Sequence, residues 1–290
     1  MRVRPALEVI PARDQREGAG FLVHRPFPSP ALPTLDPFLL LDELGPTTYA
    51  PGEALGAPDH PHRGFETLTL LLEGSFEHAD SGGHAGTLTP GDAQWMTAGA
   101  GVVHREMPST TLQREGGRLH AFQLWLNLPR ALKGAPPRYQ ELAAASIPTV
   151  TPSGGGGTGR LIAGAALGAV GPAHTLTPAL LHQWRVDAGG RLVLPVPREF
   201  QVAAYVYEGA LSTEIGRAPR GNLVRFGAGD AVVLASQEGA GVLLLGGLPL
   251  QEPIAWGGPF VMNTRAEVER AYADYRAGRM GRIPPEIVRA

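Results

Sequence analysis

No apolar stretch in this chain runs far before a glycine, proline or aspartate interrupts it. Of 290 residues, 39 are Gly and 28 are Pro, roughly twice average usage, and they separate short runs rich in Val, Leu, Ala and aromatics. That punctuation leaves little room for helices and predicts an all-β chain. Strands are predicted at Thr67–Leu72, Ser75–Ala79, Ala93–Thr97, His120–Leu126, Arg160–Gly164, Arg191–Leu194, Gln201–Tyr207, Leu211–Ile215, Asn222–Phe226, Ala231–Leu234 and Val242–Gly246. Within His120–Leu126, Phe122, Leu124 and Leu126 fall on one face and Ala121, Gln123 and Trp125 on the other, the period of a strand. Short strands separated by turns fit a sandwich or barrel. One helix is expected near the end. Thr264-Arg265-Ala266-Glu267 has the form of a capping box, and Val268, Ala271, Tyr272 and Tyr275 follow at helical spacing before Gly278.

The halves of the chain repeat weakly. Glu73-Gly74 at a strand end is followed by Asp92 of a Pro-Gly-Asp turn, and Glu208-Gly209 is followed by Asp230 of a Gly-Asp turn. In each, Gly supplies a positive φ and Asp can bond its own backbone. Two copies of one β-barrel module are therefore expected, joined near Pro136-Pro137. Residues 1–135 are expected to form the first domain and 136–290 a second that ends in the helix. The Gly154–Gly157 run reads as a loop early in the second module.

Chemistry concentrates in two motifs of the first module. His60-Pro61-His62 is followed by His104-Arg105-Glu106, and residues at i and i+2 of a strand share a face. Pro61 lacks an amide proton, which suits a strand edge at a barrel mouth. Two such pairs on neighbouring strands bring three imidazoles and one carboxylate together. Nitrogen plus one carboxylate with open positions suits a divalent transition metal, as in non-haem iron oxygenases. With no cysteine in the chain, thiolate metal sites, disulfides and thiol catalysis are excluded, and any metal must rest on His, Asp or Glu. Sliding the modules on Glu73 and Glu208 puts Pro195 and Pro197 at His60 and His62. Sliding on Asp92 and Asp230 puts Val242 and Leu244 at His104 and Glu106. The second module thus has no equivalent ligands.

Asp59–Thr67 (DHPHRGFET), Pro90–Gly101 (PGDAQWMTAGAG) and Val103–Met107 (VHREM) strongly resemble the pirin family, bicupins of the cupin superfamily. The likeness extends to Leu35–Leu39, Phe122–Asn127 and Gly258–Thr264 and spans nearly the whole chain. It implies two cupin (jelly-roll) barrels and a metal, Fe(II) first and Mn, Co, Ni, Cu or Zn as alternatives, on His60, His62, His104 and Glu106. Members of that family act as quercetin 2,3-dioxygenases, opening a flavonol with dioxygen and releasing carbon monoxide. The resemblance therefore implies a small flavonol-like or other enolic substrate, with Glu106 either a plain ligand or the catalytic general base. The alternative it implies is a redox-sensitive iron protein that docks on a protein partner, as a regulator of transcription or of pyruvate metabolism.

A net charge of −2 and 43% hydrophobic residues exclude a disordered chain and give no footprint for direct nucleic-acid binding. The longest apolar stretches, Leu161–Ala173 and Ala231–Leu250, are broken by Gly or Glu238, so no membrane span is expected. Residues 1–20 hold four arginines but no apolar segment of a secretory signal, and a cytoplasmic location is expected. Lys133 is the one lysine among 25 basic side chains. His78, Asp80 and His84 are expected on an exposed hairpin, while Phe65, Trp95, Met96 and Met107 read as core. His24, His174 and His182 have no partner at ligand spacing, and Asp42-Glu43 alternate faces too closely to act as a pair.

Overall fold

The computed structural model describes residues 1–285 and is all-β, with two α-helices and short 3₁₀ turns. In the amino-terminal half, β1 (Ala6–Pro11), β2 (Arg13–Glu17), β3 (Phe21–Phe27) and β4 (Phe38–Tyr49) lead into β5 (Ala57–His62), β6 (Phe65–Glu73), β7 (Phe76–Asp80) and β8 (Ala85–Leu88). They are followed by β9 (Ala93–Thr97), β10 (Val102–Pro108), α1 (Thr110–Glu115), β11 (Gly117–Asn127) and β12 (Arg138–Leu142). The order β12-β9-β6-β11-β4-β3-β2 makes one sheet and β5-β10-β7-β8 the facing one. Together they form the first barrel.

Alternation along β6 and β11 decides what enters that barrel. Thr69 lies opposite Gln123, and Thr67 opposite Trp125, so these four share one face. Leu68, Leu70, Phe122 and Leu124, all fully buried, occupy the other. One end of the barrel is closed by apolar packing of Leu71, Phe76, Leu88, Leu112, Leu119 and Ala121. That plug leaves polar side chains to the opposite end.

The second barrel repeats the order of the main sheet strand for strand. Its main sheet runs Ala6–Pro11, Asn222–Phe226, Gln201–Thr213, Ala240–Gly247, Ala179–Val186, Gly157–Ala163 and Thr149–Val150, while Arg191–Pro195 pairs with Ala231–Ala235 as β5 pairs with β10. This topology corrects one alignment. The strand equivalent to β10 is Ala231–Ala235, so the counterparts of His104 and Glu106 lie there; Val242 and Leu244 belong to the counterpart of β11. Matching Asp92 to Asp230 failed because the first precedes the β9 position and the second precedes the β10 position.

The compact units are assembled from separated segments of the chain. One compact unit comprises Met1–Arg13, Arg25–Phe38 and Ala145–Pro249; the other comprises Asp14–His24, Leu39–Ala144 and the chain from Leu250. The reason is pairing. β1 adds to Asn222–Phe226 at the edge of the second sheet, register Val9 to Val224. The carboxy-terminal helix α2 (Arg265–Arg276) packs Ala271 with Ala79, Val103 and Phe260 of the unit that contains Leu39–Ala144. Its predicted capping box is present, with Thr264 and Glu267 bonded reciprocally.

Candidate metal centre

β5 and β10 pair antiparallel with His104 directly opposite His60 and Val102 opposite His62. Three imidazoles therefore converge within the first barrel. Ring centroids are 4.3 Å apart for His60 and His104, 4.7 Å for His60 and His62, and 4.9 Å for His62 and His104. One nitrogen from each lies within 4.8 Å of the other two. His62 and His104 are 3% and 1% exposed, whereas His60 is half-buried and marks the accessible side.

Hydrogen bonding fixes what these nitrogens carry. Nδ1 of His60 lies 2.7 Å from the Pro58 carbonyl, and Nδ1 of His62 lies 3.3 Å from the Pro259 carbonyl. A carbonyl only accepts, so each Nδ1 holds the proton and each Nε2 is left with a lone pair. Those two Nε2 atoms face each other at 3.1 Å. Neither has a hydrogen to offer, and both nitrogens of buried His104 are also without a partner. A cation is what such a cluster of donors lacks. Protons serve poorly: burial, with the neighbouring His60 adding to it, pushes the imidazoles of His62 and His104 well below the usual value. Neutral imidazoles with their far nitrogens held by backbone carbonyls are suited to a divalent transition metal.

Glu106 follows on the same strand, but the register shifts between His104 and Glu106. Its carboxylate stands apart from the three-histidine group and turns toward Thr69, whose Oγ1 lies 2.5 Å from Oε1 of Glu106 and 2.7 Å from Oε1 of Gln123. One hydroxyl proton cannot serve two acceptors. It goes to Glu106 when that carboxyl is ionised, and to Gln123 when Glu106 is protonated and itself donates to Thr69. Burial favours that state by raising the Glu106 carboxyl; the Thr69 bond and His60 pull the other way.

Residues distant in sequence hold this arrangement. The hairpin Ala255–Gly257 and Phe260–Met262 carries Pro259 at its turn. Lys133 is 3% exposed and donates to the carbonyls of Gly64 (2.7 Å) and Val261 (2.9 Å) and to Asn127 (2.6 Å), tying that hairpin to the segment after His62. Its three protons meet three acceptors. Arg63 binds Asp274 of α2 at 2.7 Å and the Ala100 carbonyl at 2.7 Å. Lys133 left a sequence signal, the lone lysine in an arginine-rich chain. The Pro259 carbonyl left none, because backbone acceptors have no residue code.

Other expectations changed. His78 and Asp80 are buried, at 5% and 1% exposure, because β7 is an interior strand of its sheet; only His84 is exposed, bonded to Asp80 at 3.0 Å. Glu43 and His120 form a buried pair at 2.8 Å. His24 meets Asp14 at 2.6 Å. His182 is buried with Nε2 unpaired. Among the described residues no helix is long and apolar enough to cross a membrane.

Comparison with known proteins agrees with this architecture. Residues 20–126 match the Pirin family model, and residues 181–281 match that of the Pirin C-terminal cupin domain. Pirin of Homo sapiens is 40% identical over 278 residues, spanning 93% of this chain and 91% of its own. A pirin-like protein of Solanum lycopersicum is 38% identical over 285 residues, spanning 97% and 94%. Among solved structures, quercetin 2,3-dioxygenase from Acinetobacter baumannii superposes with a TM-score of 0.90 at 37% identity, covering 97% of this chain and all (100%) of that one. Both family models match, relatives 38–40% identical span nearly the whole chain, and the chain belongs to the pirin family.

Proposed function

We propose that this protein is a metal-dependent dioxygenase of the quercetin 2,3-dioxygenase type, with Fe(II) held by His60, His62 and His104 and with Glu106 beside it. The observation that carries the reading is the pair of lone pairs facing each other between His60 and His62, with His104 orphaned next to them. The likeness to the Acinetobacter enzyme supports the choice of reaction. When bound there, iron supplies a Lewis-acid and redox-active contact for an enolic oxygen and for dioxygen.

The residues divide the remaining work. Half-buried His60 leaves the approach open, and Trp125, edge-on to His62 at 5.0 Å, offers an aromatic wall to a planar ring. Glu106 takes the proton of the enolic hydroxyl as general base, which requires its carboxylate form. Thr69 and Gln123 hold that carboxyl in place and receive its hydrogen bond once it is protonated. The alternative role for Glu106 is that of a plain fourth ligand.

Metal analysis of the purified protein, followed by aerobic and anaerobic assays on a flavonol panel, tests this reading. Stoichiometric iron with dioxygen-dependent loss of flavonol absorbance is expected. Retained iron without turnover of any flavonol or enolic compound would instead favour a redox-sensitive regulator that docks on a protein partner.

A further inference from the structure

His62 does not end in inert packing. Its ring lies 5.0 Å from Trp125, edge-on at 71°, and Trp125 stacks on Trp256 at 5.7 Å and 23°. Phe65 closes the other face of Trp125 at 4.3 Å. Trp256 is 39% exposed, and its Nε1 donates to the Gly258 carbonyl at 2.9 Å, which fixes the ring. An unbroken line of conjugated rings thus runs from a ligand nitrogen to the surface, ending on an indole. The first indole is sheltered and the second is open to water. A substrate wall needs only Trp125; the second ring in register, rigidly held and solvent-facing, is left without a task by the proposed reaction.

We infer that Trp125 and Trp256 form a hole relay that drains oxidising equivalents from the metal centre to the protein surface. The inference rests on the proposed iron site and adds a protective function to it. Indoles are the most readily oxidised ring systems on the line, whereas Phe65 cannot accept a hole at comparable cost. With a peroxide as oxidant the step balances as follows. Hydrogen peroxide takes two electrons, one from Fe(II), which becomes Fe(III), and one from Trp256 by way of Trp125. The O–O bond breaks, and two waters form from the two peroxide hydrogens, one proton lost by Trp256 and one from solvent. Trp256 remains as a neutral radical, exposed to reductants, and the imidazole ligands are spared. Without the relay the oxidising hole stays beside His62 and His104, and oxidation of those ligands destroys the site.

The test uses the full chain loaded with one equivalent of Fe(II) under anaerobic conditions, desalted, assayed for retained iron and treated with one equivalent of hydrogen peroxide. Peptide mass spectrometry then locates oxidised tryptophan and histidine, and freeze-quench electron paramagnetic resonance looks for a tryptophan radical. Trp256 is expected to dominate the oxidised sites, with His62 and His104 intact. In Trp256→Phe, oxidation of Trp125 and His62 rises severalfold. In Trp125→Phe, which keeps the packing, oxidation of Trp256 falls severalfold although its exposure is unchanged. Zn(II)-loaded protein shows neither effect. Equal oxidation of Trp256 in wild type and Trp125→Phe means a diffusible oxidant and overturns the relay while leaving the iron site standing. Failure to retain iron after desalting overturns the metal centre first and the relay with it.

Discussion

Substituting Thr69 by Val tests the role of Glu106 directly. The two side chains have the same shape, and the change removes one hydroxyl, 2.5 Å from the Glu106 carboxyl. A hydrogen bond to a charged acceptor is worth roughly 1.5–3 kcal/mol. Its loss acts on the carboxylate, because the Thr69 bond lowers the Glu106 pKa while burial raises it. At about 1.4 kcal/mol per unit, the variant's Glu106 should titrate about 1–2 units higher. A general base must be ionised, so the acid limb of the kcat/KM profile of iron-loaded protein shifts to higher pH by that amount, with activity on the alkaline plateau largely kept. Carbon-13 NMR of labelled glutamate in metal-free protein should show the same displacement. Thr69→Ser restores the hydroxyl and should restore both readouts. A limb that stays within a few tenths of a unit, or moves to lower pH, refutes Glu106 as the titrating base and the Thr69 bond as its control.

Lys133→Met removes the ammonium donor shared by Gly64, Asn127 and Val261; a loss of about 1–3 kcal/mol in urea unfolding is expected, together with weaker metal binding in competition with a chelator. Unchanged metal affinity would separate the hairpin from the site. His104→Ala should abolish metal retention, measured by elemental analysis, while the far-ultraviolet dichroism of the barrels is preserved. Burial pushes His182 down to about 4, so the unfolded chain takes up a proton first as pH falls; the contribution to stability is intact above about 6.5 and declines by about 3 kcal/mol by pH 4. In His182→Leu that decline should vanish from the pH dependence of the urea midpoint.

Much of the fold was legible because turns and apolar runs alternate along the chain. Ala93–Thr97 and Asn222–Phe226 emerge at their expected bounds, since each is a short run between turn residues. The three histidines were legible for the same reason that they meet: i and i+2 residues share a face whatever the surrounding fold. Where reasoning fell short, partners far away in sequence decided the outcome. β4 contains Asp42-Glu43 and Gly45-Pro46, which look like a turn, yet it is a twelve-residue strand, with Glu43 bonded to His120 on the neighbouring β11. The burial of His78 depends on β10 and β8 covering both sides of β7, and β8 has no apolar pattern of its own. The domain division depended on two terminal segments, β1 and α2, whose local patterns specify a strand and a helix but not the barrel each joins.

Two barrels share the strand order of their main sheets, and among the described residues only the first clusters imidazoles; the reason lies in a single layer of side chains. Where the first barrel places His60 opposite His104, the second pairs Leu192 with Leu234 and Leu194 with Val232, all four packed in its apolar core with Trp184, Val202 and Leu244. Those four side chains have no polar atoms to satisfy. In the first barrel the same layer carries the unpaired nitrogens of His104 and the opposed lone pairs of His60 and His62, each unsatisfied buried group costing about 1–3 kcal/mol. The strand order tolerates either filling, so the fold itself does not require a metal. The histidine layer is the one that is incomplete by itself, and a cation that completes it returns the cost of those unpaired groups as binding free energy. The same exchange of side chains that makes the first barrel a worse apolar core suits it to a metal, and the second barrel has the apolar core.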